Sequence, residues 1–132
     1  MQRKLPLLTA DNRAFWQGGQ QGELLITRCR ECAKWFHPPA PVCPRCGSTR
    51  VGPEPVSGRG TVLSFTVNHQ AWTPDLDAPY LVVIVELDEQ SGLRLVSNLV
   101  DLAPEEATIG MRVRVVFHQC EDVWLPLFER CS

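Results

Sequence analysis

The chain has 132 residues, of which 44% are hydrophobic and 21% are charged, and its formal net charge is −2. This length fits one ordinary domain, or a small module joined to a modest one, and the composition is that of a folded protein. The slightly acidic balance disfavours non-specific binding of nucleic acid, which usually needs an excess of basic residues. No apolar run approaches the roughly 20 residues needed to cross a bilayer, and residues 1–13 lack the apolar core of a signal peptide, so we expect a cytoplasmic protein outside the membrane.

The first predicted element is a short helix over Thr9–Gln17, which the Gly18-Gly19 pair would end. Leu24–Thr27 follows as a strand that leads into a cysteine-rich segment. The candidate N-caps of the helix, followed by the residues of its apolar face, are Thr9, Asp11, Phe15 and Trp16. The segment ahead of the cysteines is therefore predicted to hold one helix and one strand.

Two closely spaced cysteine pairs, Cys29/Cys32 and Cys43/Cys46, follow in CRECAKWFHPPAPVCPRC, with ten residues between the pairs. Two residues between thiols let the backbone curl so that both sulfurs face one ion, and a second curl completes a tetrahedron. Reduced thiols with this spacing indicate a metal rather than disulfides. Zn²⁺ is the expected ion and iron is the alternative, because both accept four thiolates. Four protein ligands leave no open coordination position, so the ion is expected to be structural, not catalytic.

Basic residues crowd around the cysteine pairs and are opposed only by Glu31. Four thiolates around a divalent ion carry net negative charge, which basic neighbours would partly offset. The residues of this basic collar are Arg28, Arg30, Lys34, Arg45 and Arg50. Two explanations stay open: the collar is a docking patch for phosphate or an acidic partner, or it only compensates the charge of the site. Gly47, which follows the second cysteine pair, is expected at a positive φ.

A connector rich in proline and glycine, Gly52–Gly58, is expected to separate two modules. We therefore place the N-terminal helix and the cysteine ribbon in residues 1–52 and a second domain in residues 53–132. One helical turn is expected within Asp101–Thr108. The predicted strands of the second domain are Thr61–Asn68, Tyr80–Leu87, Leu93–Val100, Arg112–Gln119 and Val123–Phe128.

The predicted strands differ in their expected burial. Tyr80–Leu87 is nearly continuous in apolar residues, as in a strand buried on both faces. Pro126 assigns the last strand to an edge or a bulged position. Five short strands with one helical break match the OB-fold plan of a partly open barrel, and a five-stranded sandwich is the alternative. The predicted fold class is therefore mainly β: a short helix and a zinc ribbon followed by a five-stranded OB-fold barrel.

Taken together, these residues resemble the bacterial and archaeal family that joins a rubredoxin-like zinc ribbon to an OB-fold, known as domain of unknown function thirty-five. The resemblance covers nearly the whole chain. It rests on the four cysteines together with Pro38-Pro39, Ser57–Thr61 and Pro79-Tyr80. Ala33 departs from the family pattern, which often has glycine after the second cysteine, so we expect slight strain in that turn.

The resemblance implies an association with acyl-CoA. Family members are similar to small subunits found beside thiolase-like enzymes, or fused to acyl-CoA hydratase domains, in lipid and steroid side-chain metabolism. Some of these partners are carbon–carbon lyases that depend on the small subunit. The resemblance therefore implies a non-catalytic scaffold that binds a thiolase-like enzyme, or an acyl-CoA enzyme of the hydratase or dehydrogenase type, and helps to hold or channel the CoA thioester.

Candidate contacts for a ligand or a partner are loop aromatics and a few arginines. Trp35, Phe36 and Trp72 fall in segments predicted as loops, where aromatic residues often anchor partners. Trp72 is equally a candidate for covering one end of the barrel. Arg59 is the expected contact for a CoA phosphate, with two collar arginines behind it. The full candidate set is Arg59, Trp72, Tyr80, Trp35, Phe36, Arg28 and Arg30.

Two other function classes compete with the scaffold. A nucleic-acid-binding module is the first, because zinc ribbons and OB barrels both bind nucleic acids. The acidic charge opposes it, and the predicted second and third strands offer only Arg94 as a cation and Tyr80 as a stacking ring. A hydrolase or lyase that uses His118 and Cys120, which would share one strand face, is the second. No oxyanion-hole motif or third orienting group accompanies that pair, so we expect no catalytic residue.

Overall fold

The computed structural model describes residues 7–10, 12–68 and 80–131. These residues form one α-helix, α1 (Arg13–Gln17), two 3₁₀ turns (Gly18–Gln21 and Pro104–Glu106) and eight strands. The strands are β1 (Leu24–Cys29), β2 (Trp35–Phe36), β3 (Val51–Val56), β4 (Arg59–Asn68), β5 (Tyr80–Leu87), β6 (Arg94–Leu99), β7 (Arg112–Cys120) and β8 (Val123–Arg130). The order β2-β1-β3 forms a three-stranded sheet, and β4-β5-β6-β8-β7 closes into a barrel. The predicted mainly β fold is confirmed, and the closed barrel favours the OB-fold over the sandwich.

The N-terminal helix is shorter than predicted. It begins at Arg13 instead of Thr9, and its N-cap is Asn12. The Thr9 N–H donates to Asn12 Oδ1 at 2.7 Å, so the asparagine side chain closes a turn ahead of the helix. Thr9 is therefore not the N-cap, and the other predicted N-cap, Asp11, lies outside the described residues.

The α-helix ends at Gln17 with Gly18 as its C-cap, so the predicted stop at the glycine pair is confirmed. A 3₁₀ turn continues over Gly18–Gln21, and the chain leaves it at Gly22 with a φ of +75°. A Cβ placed on Gly19 would lie only 2.5 Å from the Cβ of Trp124 on β8. Gly19 is therefore also required by the close approach of this segment to the barrel, which the sequence did not predict.

The predicted connector between modules is a strand. β3 pairs antiparallel with β1 along all six of its residues. Pro53 and Pro55 lack N–H groups, but β3 lies at the edge of its sheet, where a strand tolerates proline. The prediction of a connector is wrong for residues 52–56, because the proline signal for a loop is overridden by pairing with β1. The division between residues 52 and 53 stays a prediction, and β3 spans it.

The adjacent aromatics Trp35 and Phe36 form β2 and do not lie in a loop. They pair with β1 through Arg28↔Trp35 and Thr27↔Phe36. Both are buried, at 8% and 7% exposure, Trp35 in the main core and Phe36 against the cysteines. The prediction of exposed loop aromatics is wrong here, because strand pairing and burial override the loop signal of the neighbouring prolines.

The barrel strands lie close to their predicted positions. β5 has the predicted bounds, but its burial alternates: Leu81, Val83, Val85 and Leu87 face the core, while the intervening residues are half-exposed. It is therefore not buried on both faces, because the OB barrel leaves its outer side uncovered. β4 is irregular between Val62 and Ser64, where its register against β5 shifts. The predicted helical turn is the 3₁₀ segment Pro104–Glu106.

The last strand, β8, does not lie at an edge. It runs between β7 and β6 and closes the barrel, with Phe128 fully buried. On its β6 side, however, it pairs only at Leu99↔Phe128. The prediction of an edge strand is therefore wrong. Pro126 is nevertheless tolerated, because proline can be accommodated where few ladder hydrogen bonds are made, as on the β6 side of β8.

One apolar core joins the ribbon sheet to the barrel. Phe15, Leu24, Ile26 and Trp35 from the N-terminal part pack in the same buried cluster as the barrel residues. A second, smaller cluster contains Cys29, Phe36 and Cys43. β1 separates the two clusters, because alternate residues point to opposite faces of a strand. Within the described residues no helix is long and apolar enough to cross a membrane.

Candidate metal centre

The sulfurs of Cys29, Cys32, Cys43 and Cys46 lie within 4.8 Å of one another. Cys29 Sγ lies 3.6 Å from Cys46 Sγ, and Cys32 Sγ lies 3.6 Å from Cys43 Sγ. Zinc–sulfur bonds of about 2.3 Å arranged as a tetrahedron place sulfurs about 3.8 Å apart, so this cage fits one thiolate-bound ion. The structure thus brings together all four ligands that the spacing predicts.

Each cysteine pair is held by a tight backbone turn. In both turns the N–H of the first cysteine donates to the carbonyl of the residue five positions later, at 2.9 Å. The residues that leave the turns have positive φ, +66° at Ala33 and +76° at Gly47. The prediction for Gly47 is confirmed. Ala33 adopts the left-handed conformation that disfavours a Cβ, which is the strain expected where relatives often have glycine.

Backbone N–H groups stabilise negative charge on the two buried sulfurs. The Cys32 N–H donates to Cys29 Sγ at 3.4 Å, and this bond lowers the pKa of the Cys29 thiol to about 6 against the opposing effect of burial. Burial raises the pKa of Cys43, but the N–H groups of Cys46 and Arg45 outweigh it and lower that pKa overall. Because a metal binds the thiolate form, the turns prepare these two ligands for an ion.

The basic collar is only partly engaged. Arg28 lies 4.7 Å from the centre of the Trp35 ring, donates to the Ala33 carbonyl at 3.1 Å and faces Glu54 at 3.5 Å. Arg50 pairs with Glu31 at 3.5 Å. Among the residues that the structure describes, the hydrogen bonds to the sulfurs come from backbone N–H groups and from other thiols, not from collar side chains. The collar side chains therefore make no direct hydrogen bond to the sulfurs within the described residues.

The other ligand candidates lie on separate elements. Arg59 begins β4 and is exposed, and Arg30 is exposed just beyond β1. Tyr80 begins β5, and its hydroxyl accepts a hydrogen bond from Asn68 Nδ2 at 2.7 Å. Trp72 lies outside the described residues. These candidates are therefore not assembled into one site by direct contacts in the part of the chain that the structure describes.

The histidines and cysteines outside the metal centre do not form a reaction centre in the described ranges. His118 and Cys120 share one face of β7, as their spacing predicts, but neither side chain hydrogen-bonds to another described residue. His37 packs against Phe15, with ring centres 4.6 Å apart, and burial lowers its pKa. A nucleophile with an oriented base is thus absent from residues 7–10, 12–68 and 80–131.

Sequence reasoning missed the residues that fasten the ribbon sheet to the barrel. Gln90, in the turn between β5 and β6, bonds to both backbone groups of Trp35. In the same turn, Asp88 accepts two hydrogen bonds from Arg112 of β7, at 2.7 and 2.5 Å, which tie the turn to the barrel itself. The sequence carries no local signal for these contacts, because Gln90 and Trp35 are 55 positions apart.

A closed four-cysteine ribbon that shares its core with a five-stranded OB barrel defines a class of protein, the zinc-ribbon and OB-fold proteins. Residues 16–52 match the family described as "ChsH2, rubredoxin-like zinc ribbon domain", and residues 53–118 match "ChsH2, C-terminal OB-fold domain". The chain belongs to the ChsH2 family of DUF35 proteins. The family predicted from the sequence is confirmed.

Curated relatives fall into two groups by name. A "Probable enoyl-CoA hydratase alpha subunit" of Thermomonospora curvata is 39% identical over 127 residues, which are 96% of this chain and 39% of that protein. A "DUF35 domain-containing scaffold protein" of Methanocaldococcus jannaschii is 35% identical over 101 residues, 75% of this chain and 70% of that protein. The chain thus spans well under half of the hydratase subunit but most of the scaffold protein.

A solved structure described as "Ltp2-ChsH2(DUF35) aldolase" is similar along nearly the whole chain. Its TM-score is 0.87 at 37% sequence identity, and the match covers 97% of this chain and 100% of that one. The ribbon and barrel arrangement is therefore shared with a subunit whose structure carries the name of an aldolase complex.

Proposed function

We propose that this protein is a non-catalytic accessory subunit that binds a thiolase-like, aldolase-type or acyl-CoA hydratase enzyme and helps to hold its CoA thioester. The names of its relatives support this proposal: scaffold protein, hydratase subunit and part of an aldolase complex. The same names favour a CoA thioester as the ligand class. The cytoplasm is the compartment in which such an enzyme and four reduced thiols would coexist.

The closed sulfur cage is the observation that carries the proposal. Its four ligands all come from this chain, so a bound ion has no position left for water or substrate. We propose Zn²⁺ as that ion, with iron as the alternative that the same thiolates accept. The ion would fix the two cysteine turns and supply no reaction step.

The barrel supports a binding role for exposed residues. Arg59 stands opposite Arg114 in the β4–β7 ladder, so two cations lie side by side on the outer face. Arg114 is paired with Glu129 at 2.7 Å, whereas no carboxylate of the described residues lies within ion-pair distance of Arg59. Arg59 is therefore the cation we propose for a CoA phosphate, and we keep Trp72, Tyr80, Arg28 and Arg30 as further proposed contacts.

Co-purification tests the proposal. The tagged chain is expressed with each thiolase-like and acyl-CoA hydratase enzyme of its own genome, and the recovered complexes are identified by mass spectrometry and sized. We expect one of these enzymes to bind in a fixed ratio and to gain activity or solubility. Failure of every such enzyme to associate would contradict the proposal. Tight, salt-sensitive binding of single-stranded nucleic acid would favour the competing function instead.

A further inference from the structure

The side chain of Gln90 completes the outer edge of β2. Gln90 Oε1 accepts a hydrogen bond from the Trp35 N–H at 2.9 Å, and Gln90 Nε2 donates to the Trp35 carbonyl at 2.8 Å. β2 has only two residues and forms the edge of its sheet. The amide of Gln90 thus supplies the pair of hydrogen bonds that a neighbouring strand would otherwise supply.

The turn that carries Gln90, residues 88–93, is fastened to the chain at two further points. Glu89 Oε2 accepts a hydrogen bond from the Ser57 N–H at 2.7 Å, just before β4. The Asp88 N–H donates to the Arg59 carbonyl at 3.1 Å. Three consecutive residues therefore hold β2, the approach to β4 and the start of β4, which makes this turn the junction between ribbon and barrel.

On its other side, β2 is held by the first cysteine turn. The Cys29 N–H donates to the Lys34 carbonyl at 2.9 Å, directly before β2. Arg28 bridges the same turn to Trp35, because its Nε donates to the Ala33 carbonyl and its guanidinium covers the ring. A strand of two residues cannot keep its position alone. The position of β2 therefore depends on both the cysteine turn and Gln90.

We propose that Gln90 is a latch that couples metal occupancy of the four-cysteine site to the order of the β5–β6 turn. With an ion bound, the first cysteine turn is fixed, β2 stays paired and Gln90 holds residues 88–93. Without the ion, the turn loosens, β2 leaves its register and the latch opens. The barrel residues of the main core, which lie on the opposite face of β1 from the cysteines, keep their packing against one another.

Hydrogen exchange with and without metal tests the latch on the full-length chain. The zinc-loaded and chelated forms of wild type, Gln90→Ala and a matched control, Gln119→Ala, are compared peptide by peptide. The side chain of Gln119 also holds a turn, because its Nε2 donates to the Glu121 carbonyl at 3.2 Å. That turn, however, belongs to the β7–β8 hairpin. Gln90→Glu is a second variant, which keeps the acceptor for the Trp35 N–H and loses the donor to its carbonyl.

We expect chelation of wild type to speed exchange in residues 88–93 as well as in the cysteine turns, by about tenfold or more. Zinc-loaded Gln90→Ala should show the same acceleration in residues 34–36 and 88–93, and chelation should add nothing further at 88–93. Gln90→Glu should fall between the two, and Gln119→Ala should behave as wild type. A chromophoric chelator should also remove zinc several-fold faster from Gln90→Ala.

Three results would overturn the latch. The first is unchanged exchange at residues 88–93 when wild type loses its metal. The second is a response to chelation at 88–93 that is as large in Gln90→Ala as in wild type. The third is loss of protection throughout the barrel on chelation, β7–β8 included, which would mean that the ion supports the whole fold and not one turn. If Gln90→Ala does not fold, Gln90→Glu and chelated wild type decide between these outcomes.

Discussion

The ribbon and the barrel are held together by different physical means. Among the described residues, the cluster around the cysteines has three buried residues, and two of them, Cys29 and Cys43, belong to the predicted metal cage. In the part of the chain that the structure describes, the main core contains fifteen buried residues from both modules, with Phe128, Val83 and Val113 fully buried. Burial of this extent can stabilise a barrel, whereas we propose that the cysteine turns depend on a bound ion. On this proposal, one short chain combines a metal-dependent part with a part held by apolar burial.

The largest expected effect separates the two parts directly. Cys43→Ser removes one buried thiolate from the cage, so we expect bound zinc to fall from one equivalent to near zero and protection from exchange to be lost in the cysteine turns. Elemental analysis and hydrogen exchange measure both. Cys120→Ser, on β7 and outside the cage, is the control and should keep its metal. Full zinc binding by Cys43→Ser would contradict the assignment of the site.

Truncation of the main core should act on the barrel with the metal in place. Phe128→Ala removes a ring with 0% exposure, and we expect it to lower the free energy of unfolding by about 3–5 kcal/mol. Val96→Ala, at a valine that is 71% exposed on the outer face, should change it by less than about 0.5 kcal/mol. Urea unfolding of the zinc-loaded proteins gives both values. Equal effects of the two changes would refute the placement of the core.

A glycine substitution directly before β4 tests how closely the barrel packs at that position. Gly58 has a φ of +78°, and a Cβ there would overlap Val115 Cγ1. Strain and overlap together should cost Gly58→Ala about 2–4 kcal/mol. Gly92→Ala is the matched control, because Gly92 has a φ of +84° with nothing within 4 Å, and strain alone should cost about 1 kcal/mol. Thermal unfolding compares them, and a larger loss for Gly92→Ala would contradict this account.

The smallest expected effect concerns surface charge. Hydrogen bonds from Arg112 hold the pKa of Asp88 below its usual value. Because the folded-state pKa is lowered, the pair stabilises the fold above the unfolded pKa of about 3.9, and this contribution is lost as pH falls through the folded pKa. Both side chains are 40% exposed or more, so we expect less than about 1 kcal/mol.

Asp88→Asn should therefore lower the free energy of unfolding slightly at pH 7, and this loss should shrink as pH falls below about 3.9, as measured by urea unfolding across pH. Asp122→Asn, an exposed carboxylate in the β7–β8 turn, is the control. A larger loss for Asp88→Asn at pH 2 than at pH 7 would show that the sign is wrong.

The sequence predicted what local patterns encode. The cysteine spacing gave the cage, and the apolar run at Tyr80–Leu87 gave β5 with its bounds. The predictions were wrong or incomplete where contacts between residues distant in sequence determine the local structure. β2 exists because β1 and Gln90 flank it, β3 is a strand because its prolines lie at an edge, and Gly19 makes room for Trp124. The residues adjacent to each of these segments give no signal for such contacts.

The metal site could be predicted from the sequence, whereas the ligand-binding surface is a proposal. The four cysteines of the predicted metal site follow from spacing and meet in the structure, whereas Arg59, Tyr80 and Arg30 lie on separate elements whose common ligand is a proposal. A single sequence cannot show which exposed residues a second protein covers, because the free energy that selects them is gained only in the complex.

The most direct test of the account adds the purified, zinc-loaded chain stepwise to the acyl-CoA enzyme that it binds and follows thioester turnover. The account predicts no turnover by the chain alone, and a rise in the enzyme's rate that saturates at a fixed subunit ratio. Thioester turnover by the isolated chain, or an enzyme rate that stays constant across the titration, would contradict it.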